Sequence, residues 1–265
     1  MKDTTLNGWK ITRFEGNSQR KEEVEIATEF PLTIMLNGEE FATMVCSPSN
    51  FHELIVGFLA SEGVIRFYDQ ITSVQIDEVR GFAYIEVNKP QDMHKHDHSK
   101  RFIGSCCGKS RQFYFKSDVK TSKTIVSRLS ISVQQCFKLM DDLQSQSEQF
   151  KITGGVHNAA LCTVNEILHT RTDVGRHNAL DKIYGRILED KLPLSDKLII
   201  FSGRISSEVL LKISKIGVGI IISKSAPTDL ALRLADDLGI TAIGFARGNK
   251  LNVYTHPERI IELNE

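Results

Sequence analysis

Residues 24 to 48 alternate apolar and polar positions, as in Val24-Glu25-Ile26 and Leu32-Thr33-Ile34, and the pair Asn37-Gly38 interrupts the run. A period of two buries one face of a strand, and Asn-Gly is a preferred pair for a two-residue hairpin turn. The pattern predicts a β-hairpin at the opening of the fold. Ser49 or Asn50 can cap a helix from about 51 to 62, where Leu54, Phe58 and Leu59 recur at helical spacing before Gly63 stops it. Strands near 71 to 78 and 82 to 88 follow, and Ser132 can cap an amphipathic helix through about residue 149.

From residue 151 onward strands alternate with helices. Apolar strands are readable at 159 to 164, 167 to 171, 197 to 202, 218 to 222, 241 to 246 and 251 to 255, and helices fit at 176 to 189, 206 to 215 and 227 to 238. That alternation is the signature of a three-layer α/β domain. The expected division is a smaller β-rich α+β domain over residues 1–125, ending in a cysteine loop, and an α/β domain over residues 126–265. No internal repeat is visible.

Lys+Arg 33 against Asp+Glu 33 leaves formal net charge +0, so no global field draws nucleic acid or anionic lipid, and any anion site must be local. No apolar run reaches the roughly 20 residues needed to cross a bilayer. The start Met1-Lys-Asp-Thr-Thr5 lacks the apolar stretch of a secretory signal. The expectation is a cytoplasmic protein with no membrane or nucleic-acid partner. Five cysteines make an odd count without a regular framework, which fits a reducing compartment.

Cys46, Cys136 and Cys162 lie in apolar periodic segments and are expected in the core. Cys106-Cys107 differs. It sits in the run from Arg101 to Arg111, with Gly104, Ser105, Gly108 and Ser110 against regular structure and Lys109 supplying further positive charge. A free thiol near pKa ~8.5 is mostly protonated at neutral pH, and neighbouring cations favour the thiolate. This is where a sulfur nucleophile would be built. The charged stretch from Asn88 to Ser99 holds His94, His96 and His98, but without a cysteine or carboxylate frame it reads as a solvated loop rather than a metal site.

Five polar clusters interrupt the second half: Thr153-Gly-Gly-Val-His157-Asn-Ala, Asp173-Val-Gly-Arg-His177-Asn-Ala-Leu-Asp181, Ser202-Gly-Arg204, Ser223-Lys224-Ser-Ala-Pro227 and Phe245-Ala-Arg-Gly-Asn-Lys250. Each falls where a predicted strand or helix ends. In open α/β sheets binding crevices form from such loops, so distant clusters can converge on one ligand. Arg204, Lys224, Arg247 and Lys250 suit phosphate oxygens, so a phosphate-containing ligand such as a nucleotide is expected. Neither the phosphate-loop pattern nor the dinucleotide fingerprint is present; Ile103 stands where Cys107-Gly-Lys-Ser110 would need a glycine. His157 and His177 each precede Asn-Ala, suggesting two equivalent helix starts or turns. Each is either a satisfied structural histidine or an acid/base or ligand-orienting group.

Together these motifs, with Tyr254-Thr-His-Pro-Glu-Arg259, resemble the formate dehydrogenase accessory sulfurtransferase family, FdhD, over nearly the full chain. The resemblance implies a sulfur carrier that takes a persulfide from a cysteine desulfurase. It passes the sulfur to the molybdenum cofactor, bis-molybdopterin guanine dinucleotide, for formate dehydrogenase. It places the persulfide on Cys107 and cofactor contacts on Phe245, Ala246, Arg247, Gly248, Asn249 and Lys250; the polar clusters themselves, rather than the resemblance, offer His157, His177, Arg204 and Lys224 as candidates for additional contacts. It also implies a cytidine-deaminase-like fold for the larger domain without zinc chemistry, in keeping with the missing Cys-x-x-Cys ligands. No resident metal is expected. The family's second cysteine is replaced by Ser110, and Cys106 adds an accessory thiol beside the carrier. A two-domain protein binding a roughly two-fold cofactor is expected to be a homodimer. The rival class is a chaperone that binds and inserts the cofactor without carrying sulfur; a nucleotide deaminase is disfavoured by the absent zinc ligands.

Overall fold

The computed structural model describes residues 5–88, 101–103 and 122–263, with only the backbone given for 101–103. The first half forms strands β1 (Leu6–Glu15), β2 (Ser18–Ala27), β3 (Phe30–Leu36) and β4 (Glu39–Cys46), helix α1 (Phe51–Ser61), then β5 (Ile71–Asp77), β6 (Phe82–Val87) and β7 (Arg101–Ile103). The Asn37-Gly38 turn is as predicted: both residues have positive φ, at 49° and 84°, and β3 pairs antiparallel with β4. That hairpin does not open the fold. β1 and β2 precede it as a separate two-stranded ribbon, while β5-β6-β3-β4-β7 form a five-stranded sheet. The ribbon escaped sequence reading because most of its positions face water and carry little apolar alternation.

The second half holds α2 (Val133–Ser145), α3 (Glu148–Thr153), β8 (His157–Cys162), β9 (Ile167–Asp173), α4 (Arg176–Glu189), β10 (Leu198–Phe201), α5 (Ser207–Ile216), β11 (Ile220–Ser223), α6 (Asp229–Leu238), β12 (Thr241–Arg247) and β13 (Lys250–Val253). The single helix expected through residue 149 is two: Ser132 caps α2 in a capping box with Gln135, and the chain breaks at Gln146-Ser147 before α3. The six strands form one mixed sheet in the order β13-β12-β11-β10-β8-β9, in which β10, β11 and β12 run parallel.

Alternation along these strands assigns the layers. Leu161, Ile199, Phe201, Ile221 and Ala242 face one core with α4, α5 and α6. Their neighbours Ala160, Cys162, Ile200, Ile222 and Ile243 face a second core with Cys136, Leu139, Met140 and Leu143 of α2. A period of two buried on both sides is what three layers require. The three-layer α/β expectation is met.

α1 is the element that joins the two halves. Ten of its eleven residues are buried, so it is apolar nearly all round, as a helix enclosed on every side must be. Leu54, Ile55 and Leu59 belong to the same core as Leu32, Ile34 and Ile85 of the five-stranded sheet and as Ala179, Leu180 and Ile183 of α4. The contact with α4 is backbone to backbone: a Cβ at Gly57 would lie 1.8 Å from the Asp181 carbonyl oxygen, and one at Gly185 1.9 Å from that of Glu53. Charges sealed in this joint are paired. Asp181 accepts from Ser61 Oγ at 2.6 Å and Lys212 Nζ at 2.5 Å, and Glu53 receives both arms of the Arg171 guanidinium.

Candidate functional site

The parallel strands β10, β11 and β12 end at one edge of the larger sheet, and antiparallel β8 begins there, since Ala159 pairs with Phe201 and His157 with Asp173. All five polar clusters therefore gather on that edge. Ser202 accepts a hydrogen bond from Asn158 N and returns one to Asn158 O, both at 2.9 Å. Ser223 Oγ donates to Gly203 O at 2.7 Å and accepts from Ser225 N at 3.0 Å, and Phe245 N donates to Ser225 O at 3.1 Å. These bonds tie the turns into one continuous row. A Cβ at Gly203 would stand 3.3 Å from His157 Nδ1 and 2.8 Å from the Phe201 ring, so only glycine lets this turn lie over the histidine.

His157 and His177 do not occupy equivalent positions. His157 opens β8, whereas His177 lies in the first turn of α4, with Nε2 3.0 Å from Glu208 Oε2 in the first turn of α5. Burial pushes the His157 imidazole below the ordinary histidine range, aided by Arg176 and His177 and opposed by Asp173. Burial also lowers His177, against the Glu208 hydrogen bond, which favours the charged form. Both rings are thus held toward the neutral state.

Beneath them lies a buried ion pair. Asp173 and Lys182 have no exposed side-chain surface and meet at 2.7 Å. The carboxylate also accepts from Ser47 N at 3.1 Å, Gly175 N at 2.8 Å and Asn178 Nδ2 at 2.9 Å, while Val174 N donates to Ser47 Oγ at 3.0 Å. With these partners the buried carboxylate is fully satisfied. It bolts the start of α4 to the residue that follows β4. Sequence reading missed this role of Asp173, as well as Arg176 and Glu208; only the first two stood inside a quoted motif. Arg176 is half-buried, and its Nε has no acceptor among the described residues.

The cofactor segment expected over Phe245–Lys250 is a bulged turn. The β12–β13 register shifts between Gly244 and Arg247, and Phe245 has φ 53°, a left-handed conformation that costs an aromatic residue about 1–3 kcal/mol. Gly248 takes φ 56° without that cost. Arg247 lies over the Phe245 ring at 5.8 Å, and Arg247, Gly248, Asn249 and Lys250 are exposed. Ala246 is sealed in the core against α2, so its side chain is turned from the edge and only its backbone could meet a ligand. Arg204 is exposed after β10. Lys224 points across the sheet, donating to Gln144 Oε1 at 2.7 Å and lying 5.8 Å over the Phe150 ring.

Two expectations fall elsewhere. Cys106 and Cys107, like His94, His96 and His98, lie outside the described residues. The Tyr254–Arg259 motif sits at the opposite edge as a structural clasp: Thr255 Oγ1 bonds Ala242 N and Ile240 O, and Arg259 donates to the Gly239 carbonyl and Thr241 Oγ1, both at 2.9 Å. Cys46, Cys136 and Cys162 are buried, and desolvation pushes each thiol up to about 12. Among the described residues no group of three His, Cys, Asp or Glu is placed to hold a metal ion, and no helix is long and apolar enough to cross a membrane.

These features define a class: a three-layer α/β unit with polar turns collected along one sheet edge, joined through a buried helix to a smaller sheet. The chain belongs to the FdhD/NarQ family, whose sequence pattern matches residues 27–261. It is 58% identical over 252 residues to the sulfur carrier protein FdhD of Bacillus subtilis, covering 95% of this chain and 96% of that one. It is 52% identical over 261 residues to the protein of the same name in Staphylococcus aureus, covering 98% of each. The fold matches the crystal structure of a candidate formate dehydrogenase accessory protein from Desulfotalea psychrophila, with a TM-score of 0.81 at 22% identity, over 97% of this chain and 100% of that one.

Proposed function

We propose that this chain is a cytoplasmic sulfurtransferase that carries sulfur as a persulfide on Cys107, from a cysteine desulfurase to bis-molybdopterin guanine dinucleotide, for the maturation of formate dehydrogenase. It works as a homodimer with one guanine site per subunit. The observation that carries this reading is the direction of β7. It pairs parallel to β4, with Ile103 beside Met44, and β4 leads directly to Ser47, which is bonded to Asp173 and Val174 at the polar edge. Cys107 follows Ile103 by four positions, so the covalent chain keeps its Cα within about 14 Å of the end of a strand aimed at that edge.

The first step balances as thiol exchange. The Cys107 thiolate attacks the outer sulfur of the desulfurase persulfide, that S–S bond breaks, and the desulfurase leaves as a thiolate while Cys107 keeps the persulfide. Cys106 is an accessory thiol beside it. On the edge itself α4, α5 and α6 all begin, so their positive ends add to Arg204, Arg247 and Lys250 in favouring phosphate oxygens. His157 and His177 border the same cargo as neutral donors or acceptors, and Lys224 flanks it from the α2 side. Phe245, Gly248 and Asn249 complete the turn that meets the guanine dinucleotide end.

The test is mass measurement after incubation with desulfurase and cysteine, which should show a reducible gain of one sulfur on the Cys106/Cys107 peptide. Cys107→Ala should abolish both the gain and sulfur delivery while GDP binding stays within a factor of about two. A Cys107→Ala protein that still restored formate dehydrogenase activity would sink the carrier assignment.

A further inference from the structure

Four described arginines are buried or half-buried, and three of them meet oxygen. Arg171 grips the Glu53 carboxylate, Arg186 Nη2 lies 2.7 Å from Asp190 Oδ2, and Arg259 Nη1 donates to the Gly239 carbonyl at 2.9 Å. Arg176 differs. Its guanidinium has no hydrogen bond or ion pair among the described residues, and its Nε is shut off from water as well. The acid three positions before it gives no relief, because Asp173 already takes Lys182, Ser47 N, Gly175 N and Asn178 Nδ2. A positive charge held back from water is weakly screened, and an anion the protein does not supply is one that a ligand can.

The side chains beside it are open too. His157 draws on no hydrogen bond among the described residues, and His177 has only Glu208 at its Nε2. Arg176 is one of the causes that hold both rings toward the neutral state, so the arginine alone carries charge in this group.

Along the polar edge the strands follow the order β13-β12-β11-β10-β8-β9, which puts the Phe245–Lys250 turn at one end and the start of α4 at the other. From β12 to β8 is three strand spacings, about 14 Å, and to β9 four, about 19 Å. The bonded turns at Ser223, Ser225 and Gly203 fill the interval. The Arg176 end is also the one that abuts the smaller sheet: Asn178 Nδ2 donates to Val45 O at 2.9 Å, and Ser47 N to Asp173 at 3.1 Å.

We propose that Arg176 is a cargo-binding residue that takes the anionic metal–dithiolene centre of the cofactor, remote from its guanine, so that the edge grips one molecule at two places. This rests on the cargo assigned above and gives it a direction. The guanine end lies at β12 and β13, the pyrophosphate crosses the serine and glycine turns, and the centre that receives sulfur rests beside α4, against the half of the chain that holds β4 and β7. The planar fork of arginine suits paired acceptor atoms on such a group, and the neutral rings of His157 and His177 add donors beside it.

The probes are GDP, which ends at the pyrophosphate, and the intact molybdenum cofactor released without oxygen from mature formate dehydrogenase. Arg176→Ala should leave the GDP dissociation constant within a factor of about two and raise that of the cofactor about 10- to 100-fold, as loss of charge-assisted hydrogen bonds implies. Arg247→Ala, in the nucleotide turn, should weaken both ligands. Arg176→Lys keeps the charge without the fork and should recover only part of the loss. Since Arg176 has no protein partner to lose, the alanine variant should melt no lower than the wild type, which separates a binding role from a structural one.

An Arg176→Ala chain that loses GDP as much as cofactor would put this side chain on the pyrophosphate and overturn the assignment. Unchanged cofactor affinity would overturn it as well, and so would a lowered melting temperature together with a loss of both ligands. A wild-type chain that binds neither probe would retire the cargo reading itself, and Arg176's part with it.

Discussion

At the scale of single residues, burial divides groups of the same type into inert and reactive. Thiols at Cys46, Cys136 and Cys162, buried and pushed up to about 12, should resist alkylation in the native protein at pH 8, so that mass spectrometry finds label only on the Cys106/Cys107 peptide. Label on Cys136 before unfolding would contradict the packing of α2. The two edge histidines make a second case. Their folded values lie below the ordinary 6.5, so the unfolded chain binds their protons more readily. Their stabilising contribution is present in full above 6.5 and is lost as pH falls through 6.5 toward the lower folded values. Denaturant unfolding of the His157→Asn, His177→Asn double variant between about pH 5 and 8 should show a flatter acid limb than the wild type. The cysteine assignments were legible from apolar periodicity alone. The Asp173–Lys182 pair was not, because periodicity marks apolar faces and is silent on which charges end up sealed together.

Among the elements, legibility followed the strength of the periodic signal. Strands of the larger sheet and helices α4, α5 and α6 read cleanly because each buries an apolar stripe, and Asn37-Gly38 fixed its hairpin through a turn type that needs two positive φ angles. The break between α2 and α3 was hidden, since Gln146-Ser147 carries no glycine or proline to announce it. The joint between α1 and α4 was hidden too. Gly57 and Gly185 look like weak points in their helices, yet each is where the other helix's backbone passes. Gly185→Ala should therefore destabilise the protein by about 3 kcal/mol or more, although alanine is the better helix former, with denaturant titration as the measure. A neutral or stabilising outcome would mean that the two helices are not in backbone contact.

For the whole molecule, recognisable motifs sort by edge rather than by sequence order. Five of them line the edge where β10, β11 and β12 end, and the Tyr254–Arg259 motif clasps the opposite one, where β12 begins. A motif thus signals a constrained place in the fold, and the sheet's polarity tells which constraint serves a ligand. The strand that precedes the cysteines in the chain belongs to the smaller sheet, so under the proposed function the site would draw on both halves of the chain. Residues 126–265 made alone should keep helical circular dichroism but lose near-ultraviolet signal and cooperative melting, because the inner face of α4 would be stripped of its cover.

The enclosure of α1 carries a last consequence for birth on the ribosome. The helix emerges early with an oily surface on every side, and the one element that can sheathe its second flank, α4, is translated far later. In that interval the nascent protein displays a sticky cylinder it cannot hide by itself. Holdase chaperones that grip greasy nascent segments should therefore be most engaged on ribosomes stalled between those two helices, and least on ribosomes that have released the full length.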